Sequence, residues 1–243
     1  MQLYFWESGR QTGITNMAWD EALLEWLRLE TTPAWVVRTY QWQPATWSVG
    51  CHQSDASVIK ACQSKAQPVV KRPTGGRAID HDGDQSFALI TNDPTVWRLP
   101  LAQRYPYLMP PIQQALQSCQ FTPHASNESD SSAYTRSDQC FETSTPWDVK
   151  DSDGTKRLGC AQLVRNGGVL HHGALFWPKN LTVTSEQWLA ALVLATNQIL
   201  HAAGHTVAPQ PLPLSNDSLQ ALYYAAHDKT VMESQRLEAL IGN

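Results

Sequence analysis

A cysteine acts as a nucleophile or acyl carrier only as its thiolate, and a nearby ammonium or histidine supplies that character by stabilising the negative form. Cys140, in the tripeptide Gln139-Cys140-Phe141, is followed by a hairpin that carries Lys156 and then by the pair His171-His172, its nearest candidate partners in sequence. The plainer alternative is a packed thiol, a solvated hairpin lysine and one histidine on a sheet surface. Cys160 offers a second thiol close to the same lysine. A metal site built from His81, Cys140, Cys160 and His171 is conceivable, but the spacings match no standard ligand pattern.

The other stretch rich in chemistry is KRPTGGRAIDHDGDQSF, residues 71–87. Gly75 and Gly76 can take positive φ and let a ligand approach the backbone, and Arg72 and Arg77 supply cationic forks beside them. The stretch suits something polar or anionic. It lacks the spacing of a P-loop or of a dinucleotide fingerprint, so it is not by itself a nucleotide site.

These residues need a frame. The 243-residue chain is 42% hydrophobic with ten tryptophans, enough for a sizeable core. Its formal charge of −4 argues against general nucleic-acid binding. The start lacks a secretory pattern, and no apolar run is long enough to span a bilayer, so a cytoplasmic location without membrane association is expected. Five cysteines at irregular spacings, with no C-x-x-C pair, favour free thiols.

Helical spacing predicts a helix over residues 14–30, capped by Thr15 or Asn16. Residues 34–40 and 46–51 read as adjacent strands, and 54–65 as a short helix. A strand over 68–72 then delivers the glycine loop, and 85–91 forms the strand beyond it. Residues 110–120 carry a helical pattern and 122–138 a polar loop. Asp153-Gly154 and Asn166-Gly167-Gly168 close two hairpins. Thr184 or Ser185 caps a helix to about 201, and 218–240 forms one or two more. The economical reading is α+β: a mixed or antiparallel sheet core flanked by helices, in one domain spanning 1–243 with C-terminal helices over 184–241.

In chain order the sequence gives NMAWDEALL, WSVGCHQ, KRPTGGRAIDHD, QCF, KRLGCAQ and VLHHGALF. Together, over about 14–178, these blocks resemble the catalytic domain of the biotin/lipoate protein ligase superfamily, which attaches lipoyl or octanoyl chains to a lysine of lipoyl domains. The resemblance implies that Arg72, Thr74, Gly75, Gly76, Ala78 and His81 line an acyl or acyl-adenylate pocket. It implies that Lys156, in a block with Gly159, Ala161 and Gln162, contacts the acyl carbonyl, and that His172 and Gly173 form the family's H-G pair. Three residues depart from the pattern: Asp80 before His81, Arg157 after Lys156, and Cys160.

Within that superfamily, octanoyltransferases move an acyl chain from acyl carrier protein through a cysteine thioester without a cofactor, whereas lipoate ligases activate a free acid with ATP and Mg²⁺. The R-P-T-G-G-R-A loop, the Cys-Phe dipeptide before the lysine hairpin and the lack of an accessory C-terminal ligase domain favour the transferase, with Cys140 as nucleophile and Lys156 lowering its pKa. Its partners would be acyl carrier protein and the lipoyl domains of 2-oxoacid dehydrogenases or the glycine cleavage H protein. Trp47 and Leu170 are candidates to enclose the acyl chain. Lys71, Arg72, Arg77, Lys156 and Arg165 could form a basic patch for these acidic partners. An ATP-dependent ligase and a non-catalytic lipoate- or biotin-binding module are the competing readings.

Overall fold

A computed structural model describes residues 1–53, 56–63, 66–125, 139–142 and 145–239. Their main sheet has eight strands: β1 (Gln2–Gln11), β2 (Ala34–Trp42), β6 (Gln85–Thr91), β7 (His124–Ala125), β8 (Val149–Lys150), β9 (Lys156–Arg165), β10 (Gly168–Leu175) and β11 (Pro209–Pro211). They lie in the order β11-β1-β2-β6-β10-β9-β8-β7. β1 is parallel to β2 and β11, and the other pairings are antiparallel. A small second sheet, β4-β3-β5, is built from β3 (Trp47–Val49), β4 (Val69–Lys71) and β5 (Ile79–Asp80).

Each face of the main sheet buries its own apolar layer. On one face Val37, Phe87, Leu89, Val169 and Leu175 pack with Leu108, Ile112 and Leu116 of α4 (Leu101–Ser118) and Trp188 and Leu192 of α5 (Ser185–Ala202). On the other, Val36, Ala88, Ile90 and Leu170 pack with Leu23, Leu24 and Leu27 of α1 (Gly13–Leu29) and Leu219 of α6 (Asp217–Ala239). This is the expected α+β frame, a mixed sheet between helices. Two shorter helices, α2 (Ala56–Gln63) and α3 (Pro94–Trp97), complete the described elements. No described helix is long and apolar enough to cross a membrane.

Both predicted hairpins form, β8 to β9 and β9 to β10, and the strand over 85–91 has the expected bounds. Thr184 caps α5 through a capping box with Gln187. The ends of the helices predicted over 54–65 and 218–240, and most of the polar loop over 122–138, lie outside the described residues.

Several expectations are corrected. The strands read as adjacent, β2 and β3, belong to different sheets, because β2 is already paired on both edges by β1 and β6. β1 went unrecognised: Leu3 and Phe5 face one layer and Tyr4 and Trp6 the other, so a strand buried on both faces shows no apolar-polar alternation. α1 is capped by Thr12, whose hydroxyl accepts from the Thr15 N–H, while Asn16 turns inward. α4 begins at Leu101 and continues through Pro106, Pro110 and Pro111, residues that ordinarily break helices. Burial of Leu108, Ile112 and Leu116 against the sheet outweighs the lost backbone bonds.

Candidate active site

Cys140 begins a single 3₁₀ turn, Cys140–Glu142, directly after a parallel bridge between Gln139 and Ala78. Its N–H donates to the Ala78 carbonyl at 2.8 Å, which ties the thiol to the end of the glycine loop. Lys156 opens β9. Its Nζ donates to the Cys140 carbonyl oxygen at 2.8 Å, lies 3.5 Å from the Cys140 Sγ and pairs with Asp148 at 2.8 Å. Burial works against the ammonium, but Cys140 and Asp148 outweigh it, and the Lys156 pKa stands above the ordinary lysine value.

Strand geometry would not deliver this lysine unaided. Val149 pairs with Leu158 but Lys150 with Lys156, so Arg157 is one residue extra on β9. Side chains alternate along a strand, and without the bulge Lys156 would share the face of Leu158, which packs under α4. With it, Lys156 joins the face of Gly159, and Arg157 reaches Asp151 of the hairpin turn instead. Gly159 provides the space for the pair: a Cβ there would stand 3.1 Å from Lys156 Cε and 3.2 Å from Cys140 Sγ.

All five cysteines are free thiols. Cys160 points to the α4 side of the sheet, packed among that apolar layer, and a Cβ on Gly173 opposite it would lie 2.9 Å from its Sγ. Desolvation, reinforced by the nearby Asp148, pushes the Cys160 thiol well above the usual range. Of the two candidate thiols, Cys140 is the one in contact with the Lys156 ammonium, although Cys160 borders the same cleft as the pair. His171 shares the Cys160 face, fully buried beside Phe87 and Tyr105 rather than on a sheet surface, whereas His81 lies across the sheet with Ser48 and Asp84; the four residues weighed as metal ligands do not converge.

The glycine loop is held from within. Arg72, read as a cationic fork for a ligand, is buried and donates from Nη2 to the carbonyls of Gly75 (2.8 Å) and Arg77 (2.7 Å), and from Nη1 to the Ser48 carbonyl (3.0 Å). Of the two glycines only Gly76 has positive φ, +93°. Gly50, unremarked in the sequence, lets the loop lie against β3, since any Cβ there would overlap the Gly76 carbonyl oxygen. Among the described residues the N–H groups of Gly75 and Gly76 meet no acceptor. Both residues, with half-buried Arg77, border an open cleft of about 1200 Å³ that also contains Cys140, Lys156, Ala161 and Gln162. Tyr105 and Trp147 stack to form its far wall, their ring centroids 5.4 Å apart. Gln162 accepts from Arg104 Nε at 3.1 Å.

Of the five residues expected to form a basic patch, three are engaged within the chain. Arg72 is turned into its own loop, Lys156 is paired with Asp148, and Arg165 pairs with Glu21 and Glu25 on α1. Backbone hydrogen bonds engage Arg72 and ion pairs engage Lys156 and Arg165, and formal charge along a sequence does not reveal either.

Thr74 and His172 are engaged with each other. His172 Nε2 meets the Thr74 hydroxyl at 2.7 Å, and Asp20 accepts from His172 Nδ1–H at 2.8 Å. Asp20 also accepts from Arg38 Nη1 (2.6 Å) and from the Tyr40 hydroxyl (2.9 Å). Asp20, Thr74 and their three partners, Arg38, Tyr40 and His172, are all buried. Burial raises the Asp20 pKa, but Arg38, His172 and Tyr40 more than offset it and hold the carboxyl below the ordinary value. Sequence reading passed over Asp20, although it stands in the NMAWDEALL block, because its partners come from two distant segments, β2 and β10.

A narrow slot of about 290 Å³ lies under the glycine loop. It has free room for about one water molecule. Cross-strand register writes its floor: Gly159 pairs with Ala174, Ala174 with Ser86, and Ser86 with Tyr40. Met17, Ile79, Arg72 and His81 complete the walls and Trp42 lies beside Tyr40. Trp47 and Leu170, expected around an acyl chain, are elsewhere: Trp47 in the core beneath α2 and Leu170 in the α1 layer.

Comparison with known proteins follows this geometry. Residues 12–205 match the family model described as the lipoyl protein ligase A/B catalytic domain. The chain is 32% identical over 180 residues to octanoyltransferase LipM of Bacillus subtilis, and 31% identical over 181 residues to that of Lysinibacillus sphaericus. These alignments cover 70% and 71% of the chain and 64% of each relative, so the chain spans under two thirds of their length. In fold it is similar to Ta0514 of T. acidophilum, solved with bound lipoic acid, at a TM-score of 0.67 and 17% identity over 94% of this chain and 95% of that one. With the blocks of its sequence folded into one site and four fifths of its length matched, the chain belongs to the lipoyl protein ligase A/B catalytic-domain family.

Proposed function

We propose that the chain is a cysteine-dependent octanoyltransferase, moving the acyl group from an acyl carrier protein thioester to a lysine of a lipoyl domain, such as those of 2-oxoacid dehydrogenases or the glycine cleavage H protein. The observation that carries this reading is the Cys140–Lys156 pair, seated over Gly159 between an open cleft and a narrow slot. The similarity to octanoyltransferases of two organisms supports the acyl group.

The Cys140 thiolate, facing the Lys156 ammonium, attacks the thioester carbonyl. Negative charge develops on that oxygen, and the N–H groups of Gly75 and Gly76, which border the same cleft, are the donors proposed to receive it. The carrier thiolate leaves and the acyl group stays on Cys140 Sγ, its chain in the slot. The acceptor amine then attacks through the cleft, Cys140 is expelled as thiolate, and the proton lost by the amine passes to solvent, where the released carrier thiolate takes up an equivalent one. Thioester exchange is nearly balanced and amide formation is downhill, so ATP is not needed.

The test is intact mass after incubation with octanoyl-acyl carrier protein. A hydroxylamine-labile octanoyl adduct on the wild type, absent from Cys140→Ser and retained in Cys160→Ser, is expected. Transfer supported only by free octanoate with ATP and Mg²⁺ would instead establish the ligase.

A further inference from the structure

Lys156 meets its neighbour in two charge states. In the resting site the Cys140 sulfur, 3.5 Å from Nζ, is the thiolate that the ammonium faces; in an acyl-enzyme it is a neutral thioester. Burial works against a charge on this lysine throughout, and Cys140 and Asp148 are the anions that offset it. One of the two is consumed by the first step.

The other is fixed whatever the state of the sulfur. Asp148 is 5% exposed, and its Oδ2 lies 2.8 Å from Lys156 Nζ. The Thr145 N–H donates to the same oxygen at 2.6 Å, and the Asp148 N–H returns to the Thr145 carbonyl at 3.1 Å, closing the turn that leads into β8. Trp147, the residue before it, is stacked on Tyr105 of α4. The other charged side chains around Lys156 stand at the rims: Arg77 in the cleft, Glu142 on the Cys140 turn, and Asp80, Asp82 and Arg157 in the cavity on the far side, where Arg157 pairs with Asp151.

We infer that Asp148 is a positioning residue that keeps Lys156 an ammonium in the acyl-enzyme, when the thiolate is gone, so that a cation is in place as the acceptor amine drives the sulfur out again. Lys156 then remains a cation through the whole cycle and carries no proton from the acceptor. The inference rests on the transferase reading for the step it serves and adds no covalent step to it.

Two measurements on the full chain test it. The first separates the half-reactions by intact mass: acylation of Cys140 by octanoyl-acyl carrier protein, and discharge of the isolated acyl-enzyme to a lipoyl domain. Asp148→Asn keeps the oxygen that accepts from Thr145 but loses the charge. It should slow discharge by about 10²-fold, the scale of one lost electrostatic contact to the reacting atoms, and acylation at least about tenfold less. Wild-type discharge should rise with pH as the acceptor amine loses its proton, whereas in Asp148→Asn the rise should flatten as Lys156 loses its own. Asp148→Glu, which restores the charge, should recover the wild-type pH dependence. The second measurement needs no activity: Lys156 is titrated by carbon NMR of its ε-carbon, assigned through Lys156→Met, in Cys140→Ser and in Cys140→Ser with Asp148→Asn. With the thiolate removed by the serine, Lys156 should titrate at clearly lower pH once the carboxylate is removed too.

Equal slowing of both half-reactions with an unchanged pH dependence, or identical Lys156 titration in the two serine variants, overturns the inference even where Cys140 is acylated. If the wild type is never acylated but the two titrations differ as expected, Asp148 holds the lysine charge and the transferase reading fails alone.

Discussion

Lys156 Nζ lies 2.8 Å from the Cys140 carbonyl oxygen and 3.5 Å from its Sγ, so one ammonium fixes the backbone of Cys140 and faces its sulfur. Lys156→Met keeps the length of the side chain but loses both interactions. Acyl transfer should fall by about 10²–10⁴-fold, and alkylation of Cys140 by iodoacetamide at neutral pH should slow with it. Lys156→Arg should not restore activity, because a planar guanidinium does not fit where a point charge sits between Asp148, Cys140 and Gly159. Equal thiol reactivity in wild type and Lys156→Met would remove the lysine from this role.

Gly159 is needed for absence of a side chain rather than for backbone freedom. The methyl of Gly159→Ala would crowd Lys156 Cε and Cys140 Sγ, and displacing the proposed catalytic pair by up to about one ångström should cost about 10²-fold in rate. The melting temperature should change little, and a large rate loss with an intact melting curve is the expected pairing.

Gly50→Ala should act through the loop. Its Cβ meets backbone, the Gly76 carbonyl, which cannot swing aside as a side chain can. Thioester and amine transfer should both drop, and limited proteolysis over residues 72–78 should accelerate relative to wild type.

Asp20→Asn leaves the Arg38 guanidinium, buried at 0% exposure, without its counter-charge. Such a loss costs about 3–5 kcal/mol, measurable by urea unfolding at pH 7. The pH dependence has a definite sign. The Asp20 pKa is depressed in the folded chain, so its contribution is present above the unfolded value of about 3.9 and is lost as pH falls through the folded value. Asp20→Asn should therefore narrow its deficit relative to wild type only in strong acid.

His171 governs a different window. Burial, with a smaller effect of neighbouring His172, lowers its pKa to about 3, and neither ring nitrogen finds a hydrogen-bond partner among the described residues. The unfolded chain binds a proton there below about 6.5 and the folded chain does not, so stability falls by about 1.4 kcal/mol per pH unit from about 6.5 toward 3. His171→Phe, placed among Phe87, Tyr105 and the α4 layer, should flatten that limb. Unfolding curves collected between pH 7 and pH 4 decide it: an unchanged slope means His171 is not the group responsible.

Much of this protein was legible before any coordinates. The two hairpins announced themselves through Asp153-Gly154 and Asn166-Gly167-Gly168, because turn chemistry is local, and the capped α5 and the strand before α3 follow from period and punctuation. Cys140 and Lys156 were found from residue type and from the order of the blocks around them. β1 escaped because a strand buried on both faces has no alternation, and the start of α4 because Pro106, Pro110 and Pro111 argue against a helix that tertiary burial nonetheless stabilises.

The sequence by itself determined which elements form, in what order, and which residue types could do chemistry, since these follow from short-range preference and spacing. Tertiary structure alone decided where each side chain points. One extra residue at Arg157 puts Lys156 beside Cys140 and leaves Cys160 on the opposite face, and it is pairing with β8 that creates that bulge. Arg72 became a clamp on its own loop, and Asp20, Thr74 and His172 became partners, through contacts between distant segments. Gly159, Ala174, Ser86 and Tyr40 became the floor of one slot because β9, β10, β6 and β2 lie side by side in one register. Strand register is a long-range property: a shift of one residue exchanges the two faces of a strand, and nothing local in the chain records which face won.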